Sequence, residues 1–272
     1  MKWRVLISAV AFGWTAAGIP VLAEQPKPFP DFTFKRVTPP KPGAARRITV
    51  QIEEQAETAA VPTDETLPAI DAATDSFAWY WSEVSPELAA AVPGRLAAAL
   101  LQLDKGPGVP SPRLQSLKAI ADLHGTDILK ATIGTRVSPA LVLAVIGIES
   151  SGRPSALSVA GATGLMQLMP DTAQRFGVGD ITDPADNIRG GVAYLDWLMA
   201  EFDADPILVL AGYNAGENAI KEHAGVPPFS ETRAYVPKVL AAWTVARGLC
   251  LTPPELITDG CAFAVQGTLS DG

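Results

Sequence analysis

Beyond position 76 the apolar residues recur at three- and four-residue intervals with no period-two alternation, so the pattern predicts helices and no sheet. After the break at Gly106-Pro107-Gly108 and Pro110, a helical face runs through Leu114, Leu117, Ile120, Ala121 and Ile128 to Ile133. Ser138-Pro139 opens an apolar run, and Asp183-Pro184 opens a helix with Ile188, Val192, Leu195, Met199 and Phe202 on one face. Asp205-Pro206 opens a shorter helix ending at Gly216, and both aspartates read as helix caps. Ser85-Pro86-Glu87 is a further helix-start signal. Ser230 and Glu231 precede the last helix, whose first turn is expected at Pro237, because proline is tolerated there and not in a helix interior. The expected fold class is all-α.

The first 75 positions follow another pattern. Lys2 and Arg4, an apolar run from Val5 to Gly18, and Val21-Leu22-Ala23 have the layout of a secretory leader over residues 1 to 23; a retained membrane anchor is the alternative. Thr15, the glycines and Pro20 leave less than the ~20 apolar residues of a span, so no stable membrane insertion is expected. Residues 24 to 75 hold eight prolines and no sustained apolar period, which reads as a disordered linker. Its basic half, Lys35 to Arg47, is either a solvated arm or a weak adhesive for anionic envelope polymer. Residues 76 to 112 form an N-terminal helical extension. Its Phe77, Trp79, Tyr80 and Trp81 either stack on sugars or pack onto the main domain.

Charge and cysteine content narrow the function classes. A net charge of −8 disfavours a nucleic-acid partner, which requires concentrated positive charge. Two His and two Cys in the chain, with no carboxylate cluster to complement them, predict no metal and no cofactor. Cys250 and Cys261, in a tail from 249 to 272, suit a disulfide in an exported protein; two free thiols are the alternative.

Residues 140 to 148 are apolar on every side, which buries that helix, and it ends in Glu149. A carboxylate there faces the negative end of the helix dipole in an apolar surround, and both effects favour the neutral acid. Such a group suits general-acid work near neutral pH, unless it escapes to solvent at Ser150-Ser151-Gly152. Downstream lie Ser158, the glycine-punctuated block from Gly161 to Gln167 with Met169-Pro170, the block Tyr213-Asn214-Ala215-Gly216, and Glu231-Thr232-Arg233-Ala234-Tyr235.

In the order and spacing of these blocks the chain resembles the lytic transglycosylase domain of bacterial cell-wall enzymes, the soluble type related in fold to goose-type lysozyme. The resemblance spans residues 113 to 248 and departs in Gly212, where the family often has alanine. It implies that Glu149 is the catalytic acid and base. Ser158, Gln167 and Tyr213 would line the cleft beside the reacting sugar, with Asn214 near them and Tyr235 orienting the carboxyl group.

Ordinary glycosidases use two carboxyl groups, and no persuasive second one is visible, since Asp171, Asp180 and Asp183 sit in helix-start turns. The resemblance implies a mechanism that needs none, in which the muramic acid C6 hydroxyl displaces the leaving group to give a 1,6-anhydro end. The implied partner is the peptidoglycan glycan strand, in the periplasm; a partner in the envelope machinery is left open. The rivals are a hydrolytic muramidase and a non-catalytic glycan-binding scaffold.

Overall fold

The computed structural model of the protein describes residues 77–264. The leader and the proline-rich linker lie outside the described residues, as do residue 76 and residues 265 to 272 of the tail. The described chain is all-α: helices α1 (Ala78–Trp81), α2 (Arg95–Lys105), α3 (Leu114–Thr132), α4 (Pro139–Glu149), α5 (Pro170–Arg175), α6 (Pro184–Glu201), α7 (Pro206–Ala215), α8 (Glu217–Glu222) and α9 (Ser230–Ala246), with 3-10 turns at Leu88–Ala90 and Arg247–Leu249. Extended pairing among the described residues is limited to isolated bridges.

Two short apolar helices form the centre. Every residue of α4 from Ala140 to Ile146 is fully buried, as is α7 from Ile207 to Ala211, so neither shows a polar face. Each aliphatic side chain buried in this way contributes roughly 1.5–3 kcal/mol. Helix α4 packs against α3 and α9, and α7 packs against α6 and α9. Both central helices start on a proline.

Asp183 caps α6 by accepting the Asp186 N–H. Asp205 accepts the N–H groups of Ile207 and Leu208 at the start of α7, and its other oxygen pairs with Arg95 at 2.9 Å, both side chains being buried. Asp205 is therefore more than a cap, because it also ties α2 to α7. Ser138, by contrast, caps nothing with its side chain; its N–H donates to the Ile257 carbonyl in the C-terminal loop. That loop is closed by a bond between Cys250 and Cys261.

Two helix-start expectations need correction. Ser85-Pro86-Glu87 leads only to the 3-10 turn, because its backbone is drawn into pairing with a distant segment. Pro86 O accepts the Val226 N–H and Leu88 N–H donates to Ala224 O, both at 2.8 Å. Gly225 permits this approach, since a Cβ there would lie 2.3 Å from Pro86 O. The second correction concerns Pro237, which lies inside α9 and not in its first turn. The carbonyl that loses its helical donor to Pro237 is that of Arg233, and it accepts the Trp81 indole N–H instead (2.8 Å).

Candidate active site

Glu149 is the last residue of α4, half-emerged from the core at the wall of a cleft of about 410 Å³. Ser158, Gln167, Tyr213 and Asn214 line the same cleft, so the structure brings four of the five expected neighbours together around Glu149. The fifth, Tyr235, reaches Glu149 directly by donating its hydroxyl to Oε1 at 2.7 Å. A second hollow lined by Arg153, Ser155 and Leu157 adjoins the first, and Glu149, Ser158 and Gln167 border both.

Burial pushes the Glu149 carboxyl up to about 7; the Tyr235 hydrogen bond pulls the other way, and the negative charge of Glu231 adds to the rise. The same burial raises the Tyr213 and Tyr235 phenols well above their ordinary value, so both stay neutral donors. Glu149 thus holds its proton close to neutrality while lying open to a ligand.

The glycine-punctuated block is fastened from beneath. Ser150 donates its hydroxyl to Leu165 O at 2.7 Å, which locks the end of α4 to the loop. Asn187, fully buried on α6, accepts the Met166 N–H and donates to Thr163 O and Ile181 O. Gly164 has φ +85°, and a Cβ there would lie 2.2 Å from Asn187 Nδ2, so a glycine is required. Gln167 adopts the left-handed φ of +47° and spends its Nε2 on Ala156 O and Gly164 O, leaving its amide oxygen free to accept. Ser158 Oγ accepts the Ala162 N–H and so shapes the turn that precedes the block.

Tyr213 donates its hydroxyl to Met166 O (2.9 Å), which leaves it an acceptor toward a ligand. Asn214 accepts from Thr232 Oγ1 at 2.7 Å and donates to Glu231 Oε1 at 3.2 Å. Gly212 is no mere loosening of α7, since a methyl group there would press within 3.0 Å of Phe202 and 3.1 Å of Leu198.

The sequence reading missed several lining residues. Met169 is 43% exposed and borders the cleft, and Thr172 and Tyr194 line it too. A second carboxylate is present after all, in Glu231, exposed at the cleft rim. It was read as a helix-start residue, and only the fold returns the start of α9 to the cleft. Asp171, Asp180 and Asp183 do not line it. Among the described residues no group of His, Cys, Asp and Glu has the arrangement a metal ion needs, and no helix is long and apolar enough to cross a membrane.

A helical domain with a buried acid of raised pKa and a second, exposed carboxylate in one polar cleft is the arrangement to compare with known proteins. Residues 127–236 match the family model of the Transglycosylase SLT domain. The chain is 34% identical over 133 residues to the soluble lytic murein transglycosylase of Salmonella typhimurium, covering 40% of this chain and 21% of that protein. It is 37% identical over 103 residues to the endo-type membrane-bound lytic murein transglycosylase A of Klebsiella pneumoniae, covering 34% and 47%. Among solved structures, an inactive mutant of the lytic transglycosylase Slt from Pseudomonas aeruginosa aligns with a TM-score of 0.45 and 26% identity, over 61% of this chain and 30% of that one. The chain spans about a fifth of the length of the soluble relative.

Proposed function

We propose that this protein cleaves the β-1,4 bond between N-acetylmuramic acid and N-acetylglucosamine in peptidoglycan without water, leaving 1,6-anhydromuramic ends. The observation that carries this reading is Glu149, the end residue of a buried apolar helix, held protonated to about 7 and gripped by Tyr235. The relatives' names, lytic murein transglycosylases, support the same chemistry.

Glu149 protonates the glycosidic oxygen as its bond to C1 breaks, and the substrate's N-acetyl group stabilises the positive anomeric carbon. The resulting carboxylate takes the proton of the muramic C6 hydroxyl, whose oxygen bonds to C1. The acid is regenerated and no co-reactant is consumed. Tyr213, with its proton committed to Met166 O, accepts the acetamido N–H, while Gln167 Oε1 and Ser158 hold sugar hydroxyls. The two hollows that Glu149 borders offer room for saccharide units flanking the scissile bond.

The leader-like first 23 residues and the Cys250–Cys261 bond support export to an oxidising periplasm. Mass spectrometry of digested sacculi tests the reaction: 1,6-anhydro ends support it, reducing muramic ends indicate a muramidase, and no release indicates a binding scaffold.

A further inference from the structure

The helix that delivers Tyr235 to Glu149 has a gap in its hydrogen-bonded ladder that brackets Tyr235 itself. Pro237 has no N–H, so the carbonyl of Arg233 has no partner within α9. A buried carbonyl in that state would be hydrated or would pull the helix open. Here it accepts the indole N–H of Trp81, 152 positions earlier. Tyr235 lies between the two affected residues, and its ring is a lever that turns a small backbone tilt into a displacement of the hydroxyl.

The rest of the aromatic turn is seated on the same stretch. The Arg233 guanidinium lies over the Trp81 ring at 4.8 Å and donates to Pro227 O (3.0 Å) and Val226 O (2.8 Å), fixing the loop that leads into α9. Lys238 Nζ stands 6.0 Å from the Phe77 ring, and Tyr80, fully buried, packs edge-on against Trp81 at 5.1 Å. Residues 77 to 81 precede the matched family segment, which begins at residue 127, so this brace comes from outside the matched domain.

We propose that Trp81 is a positioning residue for the acid: its indole N–H replaces the donor that Pro237 removes, and so holds Tyr235 at hydrogen-bonding distance from Glu149. The inference rests on the catalytic role assigned above to Glu149. The titratable groups that face this carboxyl are Tyr235 and Glu231 from α9 and Tyr213 from α7; Arg153 lines the hollow beside it. A loosened Tyr235 withdraws a hydrogen bond from the carboxylate form, which moves the Glu149 titration upward.

The test uses the full chain and Trp81→Phe, which keeps an aromatic ring near Arg233 but removes the N–H together with the five-membered ring; a Pro237→Ala background separates the lost donor from the lost packing. Expected are an upward shift of the Glu149 titration, followed by carboxyl NMR with Glu149→Gln as the assignment control, and a fall in kcat on the order of tenfold with KM little changed. Pro237→Ala restores a backbone donor to the Arg233 carbonyl. In that background Trp81→Phe should leave both titration and kcat near their Pro237→Ala values. An unmoved titration in Trp81→Phe, or an equal shift with and without Pro237, overturns the proposal. If the wild type itself releases no anhydro product, the proposed function fails, while the titration still decides the role of Trp81.

Discussion

The Tyr235 hydroxyl donates to Glu149 Oε1 at 2.7 Å, although the two residues are 86 positions apart and belong to different helices. The bond opposes burial: it steadies the charged form of an acid that its surroundings keep neutral. Glu149 is therefore able to give up its proton and take one back without leaving its place. Two substitutions should move its titration in opposite directions.

Tyr235→Phe removes the hydrogen bond and leaves the burial. The Glu149 titration rises above its starting value of about 7, and the alkaline limb of the pH–activity profile moves up with it. Turnover at the optimum falls by about 10²-fold, because the carboxyl loses its orientation. Steady-state profiles from pH 4 to 9 check both effects, and an unshifted limb would mean that Tyr235 is not coupled to the acid.

Glu231→Gln removes a negative charge that helps to raise Glu149, while its amide oxygen can still accept from Asn214. The alkaline limb moves to lower pH, and cleavage persists. Loss of turnover comparable to that of Glu149→Gln would instead make Glu231 a second catalytic carboxylate and favour the hydrolytic scheme.

Glu149 also links stability to pH. Between the ordinary carboxyl value of 4.5 and about 7 the folded protein keeps this proton and the unfolded chain does not. Stability therefore falls as pH rises through that window, by up to about 3 kcal/mol for this group alone. Glu149→Gln should abolish that part of the slope and be more stable than the wild type at pH 8. Urea denaturation at pH 4.5 and pH 8 measures the difference, and parallel losses in both proteins would contradict the assigned burial effect.

Asn187→Ala should damage the site from beneath. It deletes two hydrogen bonds to the 161–167 block and one to Ile181 O, and leaves the buried Met166 N–H without its partner, at about 2–4 kcal/mol. Thermal denaturation reports the loss, and weakened glycan affinity reports the loosened Gln167. A variant as stable as the wild type would show that Gly164 and the Ser150 bond hold the block alone.

The frame was readable in the sequence where structure is local. The all-round apolar run ending in Glu149 announces a buried helix with an acid at its end, and Asp183-Pro184 and Asp205-Pro206 each begin a capped helix. It was unreadable where a distant partner decides. Proline chemistry places Pro237 in a first turn, and the Trp81 indole makes an interior position tolerable. Ser85-Pro86 has the right composition for a helix start, yet Ala224 and Val226 claim its neighbours for pairing. In the site, the motif residues were legible because their blocks are contiguous. Glu231 was not, since nothing near it in sequence says that α9 begins at the cleft.

The central claim is that one carboxyl, Glu149, cleaves the glycan with the muramic C6 hydroxyl as the nucleophile. The most direct measurement is mass spectrometry of purified sacculi digested with the wild type and with Glu149→Gln in water enriched in oxygen-18. The account predicts 1,6-anhydromuramic ends without the heavy isotope from the wild type, and a loss of at least 10²–10⁴-fold in the variant. Reducing ends carrying oxygen-18, or near-native release by Glu149→Gln, would contradict it.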